Sequence, residues 1–214
     1  MPYGYLGTTP NQQLNNSGVF SVEEALALQN EGELGGSLEL IAEQTLSGAV
    51  SYNFTSIKET KFDVHFLTVS NHTVPAGSQD YGIRFYESGV LETAGVYQYA
   101  TQEISFGATA YEHKSTSANY IRVDNTGSEQ WINNWYMYFY NLGNSSEYSF
   151  VTLQKQPERL SSGGSYNSSG TVSEFGGGLL PQASTVDGIQ IYNSAETSTA
   201  GTAKLYGVKQ IWVT

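Results

Sequence analysis

The 214-residue chain contains no cysteine. That absence excludes disulfide frameworks, cysteine-ligated zinc and thiol catalysis. Basic residues are also scarce: nine Lys and Arg stand against twenty Asp and Glu, for a formal net charge of −11. A phosphate-reading surface needs clustered Lys and Arg, so this composition argues against nucleic-acid binding and against attraction to anionic membranes. No apolar run approaches the roughly 18 residues of a membrane-crossing helix, and no membrane insertion is expected. The opening Met1-Pro2-Tyr3-Gly4-Tyr5 lacks the basic and apolar regions of a signal peptide, so the expectation is a protein made in a cytoplasm and soluble there.

Ser, Thr, Asn, Gln and Gly fill the polar quota, and there are 16 tyrosines. Tyr combines a broad apolar face with a polar tip and few rotatable bonds, which suits β-sheets and contact surfaces. The most informative stretch is Trp131-Ile132-Asn133-Asn134-Trp135-Tyr136-Met137-Tyr138-Phe139-Tyr140. Its last six side chains carry no charge. Successive side chains on a strand point to opposite faces, so this run predicts a central strand covered on both sides. A core supplies one cover and a second layer, such as a partner subunit, supplies the other.

Residues 1–18 are polar and read as an extended arm. Ser21-Val22-Glu23-Glu24 is an S-x-x-E capping box. Val22, Ala25, Leu26 and Leu28 form one apolar stripe, and Gly32 stands where a C-terminal cap belongs. The spacing predicts a short amphipathic helix over 22–31 that must dock to be stable. From Gly35 onward the pattern is β. About ten short strands are expected, around 38–46, 49–57, 62–69, 81–87, one or two in 90–106, then 119–124, 135–141, 148–154, 188–193 and 202–208. Polar turns separate them, which predicts an all-β antiparallel sandwich, jelly-roll-like, with an N-terminal arm and helix. The expected division is 1–36 for attachment and oligomerisation and 37–214 for the sandwich. Residues 159–181, rich in Ser and Gly, read as a long loop or a strap over a neighbour; Phe175, Leu179 and Leu180 favour the strap.

Catalytic signals are weak. His65 reads as mid-strand, His72 and His113 as loop residues, and none has metal-ligand spacing. Asp63, Glu87, Glu92, Glu103 and Asp124 lie on or beside strands, but the sequence does not place two of them across a groove. No nucleophile elbow, P-loop or dinucleotide fingerprint is present. No catalytic, cofactor-binding or metal-binding residue is therefore nominated, and no cofactor is expected. Tyr97, Tyr99, Tyr111, Trp131 and Tyr166 could stack on sugar rings; core packing or a subunit contact is the stronger reading for Tyr97 and Tyr99, which leaves Tyr111, Trp131 and Tyr166 as the candidates. Tyr3, Tyr5, Leu6, Val19, Phe20, Val22, Leu26 and Leu28 are the candidate attachment residues.

Several strings carry a resemblance. They are Asn16-Ser17-Gly18-Val19-Phe20-Ser21-Val22-Glu23-Glu24-Ala25, Gly35-Gly36-Ser37-Leu38-Glu39-Leu40-Ile41, Arg84-Phe85-Tyr86-Glu87-Ser88-Gly89-Val90-Leu91-Glu92, Tyr138-Phe139-Tyr140-Asn141-Leu142-Gly143-Asn144 and Leu205-Tyr206-Gly207-Val208-Lys209. Together, over most of the chain, they resemble uncharacterised virion structural proteins of marine tailed bacteriophages, of the kind that infect cyanobacteria and related ocean bacteria. The resemblance implies a component of the particle exterior, a tail fibre or appendage or a head decoration, made in the host cytoplasm. It implies other virion proteins as partners and a homo-oligomer, a trimer by preference. A lectin-like jelly roll that binds a host surface glycan is the alternative expectation.

Overall fold

The computed structural model describes Glu23 and residues 37–75, 80–105, 110–125, 131–159 and 172–209. The chain divides into two compact units, Met1–Glu39 and Leu40–Thr214. In the first, Glu23 is helical and exposed, at one position of the expected helix. The rest of that helix and all eight candidate attachment residues lie outside the described residues, as does Tyr166.

The described residues are almost wholly antiparallel strand. The elements are β1 (Leu38–Thr45), β2 (Ser51–Thr55), β3 (Val64–Val74), β4 (Asp80–Glu87), β5 (Val90–Leu91), β6 (Tyr97–Ser105) and β7 (Ala110–Ala118). They continue with β8 (Ile121–Asn125), β9 (Trp131–Tyr140), β10 (Tyr148–Arg159), β11 (Val172–Ala183), β12 (Val186–Asn193) and β13 (Ala200–Val208). The larger sheet runs β1-β13-β3-β9-β10-β11-β6-β7. The smaller runs β2-β12-β4-β5, with β8 also paired to β4. The two pack face to face as an all-β sandwich. Leu67, Val69, Trp135, Met137, Phe139, Val151 and Leu153 from the larger sheet meet Phe54, Ile83, Phe85, Ile189 and Ile191 from the smaller in one core. Burying each such side chain stabilises the fold by roughly 1.5–3 kcal/mol.

β9 is central, hydrogen-bonded to β3 on one side and β10 on the other. Its alternation is as read from the sequence: Trp135, Met137 and Phe139 are buried. The expected second cover is not supplied by the described residues. Tyr136 is 38% exposed, and Tyr138 and Tyr140 are half-buried.

Two strands depart from the sequence reading. β7 carries Glu112, Lys114 and a run of Ser and Thr, with no apolar alternation to announce it; it is an edge strand, where polar side chains blunt further pairing. β11 occupies the second half of the expected strap and lies inside the larger sheet between β10 and β6. Leu180 is in the core, while Phe175 is 44% exposed. The glycines that suggested a loop are there for close approach: a Cβ on Gly178 would stand 2.7 Å from Ile121 Cγ2 of β8. His72 and His113 likewise lie within strands, His72 fully buried in β3 and His113 in β7.

Candidate functional site

Two features of the sandwich stand out, one on its surface and one inside. The first is the outer face of the larger sheet. Register places Tyr206, Phe66 and Tyr138 side by side on β13, β3 and β9. Phe66 stacks on Tyr138 with ring centroids 4.6 Å apart. Tyr136 and Tyr206 approach Phe66 at 5.9 and 6.2 Å. The Tyr136 hydroxyl donates to Gln154 Oε1 at 2.5 Å. Phe150 of β10, 40% exposed, pairs in register with Tyr140 and extends the patch. Rings that stack on one another can stand in water, and they also offer a ready contact surface.

Beyond Phe150 the same face opens into a groove of about 790 Å³. Gly177, Gly178, Ala100, Phe150, Leu179, Gln98 and Lys114 are among the residues that line it. Of the three residues nominated for sugar stacking, Tyr111 lies on β7 opposite Glu103, 49% exposed, and does not line this groove. Trp131 opens β9, and its side chain lies outside the described residues. β9 and β7 stand four places apart in the larger sheet.

The second feature is a buried ion cluster. Lys155 follows Val151 and Leu153 on the inward side of β10, and Glu174 stands opposite it in register on β11. β8 packs across β11 and β6 and brings Arg122 and Asp124 down from the smaller sheet. Lys155 Nζ is in direct contact with Asp124 Oδ2. Glu174 Oε2 lies 3.9 Å from the same nitrogen. Arg122 Nη1 donates to Glu174 Oε1 at 2.6 Å, and its Nη2 stands 3.7 Å from Asp124 Oδ1. Thr101 Oγ1 donates to Glu174 Oε1 at 2.7 Å, and the Tyr81 hydroxyl donates to Asp124 Oδ2 at 3.2 Å. Lys155 and Glu174 are 1% and 0% exposed. Glu103, paired with His113 at 3.1 Å, closes the cluster toward the sheet edge.

Removing this many charges from water is expensive, and ion pairing only partly offsets it. Burial drives the Lys155 pKa down to about 7; Glu174 and Glu103 work against that shift, and Arg122 reinforces it. Burial also pushes the Tyr81 hydroxyl well above its usual range. Glu103, Asp124 and Glu174 each offer an oxygen, all within 4.8 Å of one another, a donor set suited to a metal ion. Arg122 and Lys155 already face those oxygens, so a dication would have to displace a resident cation.

Sequence reasoning named Glu103 and Asp124 and could not pair them. It passed over Lys155, Arg122 and Glu174. One signal was available: Val151-x-Leu153-x-Lys155 puts a lysine on the inward face of a strand, where charge belongs only if something answers it. Glu174 was hidden by reading its strand as a loop. Neither protein-family models, curated proteins nor solved structures give a match to this chain.

Proposed function

We propose that this chain is a structural subunit of a bacteriophage particle exterior, a tail appendage or head decoration, which assembles with copies of itself and with other virion proteins. The observation that carries the reading is the aromatic face of β13, β3, β9 and β10, which no other described strand covers. A sheet face holding Phe66, Tyr136, Tyr138, Tyr140, Phe150 and Tyr206 is built for contact with another surface. The resemblance of the chain's sequence strings supports the particle setting, and residues 1–36 serve as the mount. The role is non-catalytic toward other molecules.

Sedimentation velocity tests the assembly and immunogold microscopy the location. The wild-type chain sediments as a closed oligomer, and Tyr136→Lys with Phe150→Lys yields folded monomers. Antibody against the sandwich labels the particle exterior. A monomeric wild type, or intact particles without label, overturns the reading.

The groove beside Phe150 favours a second reading, a host-glycan site, because a lining that combines the Phe150 ring with the Gln98 amide and the Lys114 ammonium suits a sugar ring. Glycan-array binding lost on Phe150→Ala supports it; an array without signal rejects it.

A further inference from the structure

We propose that Lys155 Nζ and Asp124 Cγ are joined by an isopeptide bond that the folded chain makes in itself, with Glu174 carrying the proton. This goes beyond the assembly role and does not depend on it. The chain would react once, on its own side chains, and so weld its two sheets together through β8 and β10.

The geometry supplies each requirement of amide formation. The nucleophile and the electrophile touch: Lys155 Nζ lies against the Asp124 carboxylate, held from opposite sheets. Such fixed contact replaces a bimolecular encounter and removes most of its entropic barrier. The site is dry, with Lys155 1%, Asp124 2% and Glu174 0% exposed. The Lys155 register partner on its other side, Trp135, is 3% exposed. In that setting an ammonium–carboxylate pair relaxes toward neutral amine and neutral acid by passing one proton across the contact. A lysine whose pKa burial has brought to about 7 gives up that proton readily.

The step then balances without any co-reactant. The lone pair of the Lys155 amine attacks Asp124 Cγ. The Nζ–Cγ bond forms, and the carbonyl π pair moves onto Oδ1. Arg122 Nη2, 3.7 Å from Oδ1, places positive charge where that oxyanion develops. Glu174 takes a proton from the attacking nitrogen and returns it to the Oδ2 hydroxyl. The Cγ–Oδ2 bond breaks, the carbonyl re-forms and one water leaves.

Glu174 is placed for this relay. Its Oε1 is occupied by Arg122 and Thr101 at 2.6 and 2.7 Å. Its Oε2 accepts no hydrogen bond among the described residues and faces Lys155 Nζ at 3.9 Å. One oxygen is anchored and the other is left to exchange a proton. Tyr81 donates to Oδ2, the oxygen that departs. The product also relieves the site, since two buried charges become one neutral amide.

Intact-protein mass spectrometry of the full chain tests this. The wild type should be lighter than its sequence by one water, and tandem spectra of a digest should show a branched peptide joining the Asp124 and Lys155 segments. Lys155→Met should restore the full mass. Asp124→Asn, which keeps the shape, should lose ammonia in place of water. Glu174→Gln should accumulate the unlinked chain while circular dichroism shows native strand content. A folded wild type of full mass overturns the proposal, as does a water loss mapped to Asp187-Gly188, where an imide could form. Linkage in Glu174→Gln as complete as in the wild type removes Glu174 from the mechanism.

Discussion

Phe66 and Tyr138 stack across the β3–β9 pairing with ring centroids 4.6 Å apart and planes inclined by 27°, on the side of the sheet that faces away from the core. Aromatic pairs on neighbouring strands contribute about 0.5–1.5 kcal/mol beyond the area they bury. A double-mutant cycle with Phe66→Ala and Tyr138→Ala should therefore return a coupling energy of about that size in chemical denaturation. Strictly additive single effects would mean that the two rings are neighbours without being partners.

Gly207 on β13 faces Phe62, and a Cβ added there would stand 2.2 Å from the ring's Cδ2. Phe62 is 3% exposed and has little room to retreat. Gly207→Ala should destabilise the sandwich by about 1–3 kcal/mol through overpacking. In a Phe62→Ala background the penalty should shrink, because the ring atoms in the way have been removed. Equal denaturation midpoint shifts in the two backgrounds would assign the cost to the backbone.

His72 is fully buried with Nε2 2.8 Å from Ser198 Oγ, and burial lowers its pKa from 6.5 to about 4. Between these values the unfolded chain takes up a proton that the folded chain refuses. The stability linked to this histidine is complete above pH 6.5 and is lost as pH falls toward 4, by about 3 kcal/mol in all. Urea denaturation at pH about 7 and about 4.5 should show the wild type losing more stability than His72→Gln. A variant whose loss matches that of the wild type would place the acid sensitivity elsewhere.

The sandwich was legible wherever a strand alternates apolar and polar residues, as in Leu67 and Val69 of β3 or Met137 and Phe139 of β9. β7 was not, because an edge strand needs no apolar face and so leaves no period-two pattern. β11 was misread because three successive glycines signal a turn in one dimension; only the nearness of Ile121 in space gives Gly178 its reason. The ion cluster was illegible for a related cause. Asp124, Lys155 and Glu174 are far apart along the chain; the β10–β11 register sets Lys155 beside Glu174, and β8 crossing β11 and β6 brings Asp124 to them. The histidine readings failed differently, since His72 sits beyond a register shift that the local pattern does not reveal.

The isopeptide bond also changes how the molecule bears mechanical tension. β9 lies within the stretch of chain between Asp124 and Lys155. Force applied to the two ends of the chain would cross directly from β8 to β10 and never be transmitted along the enclosed segment. The strand that presents Tyr136, Tyr138 and Tyr140 would thus stay slack while its flanks are stretched, and its aromatic row would hold its shape under pulling that would otherwise unzip it.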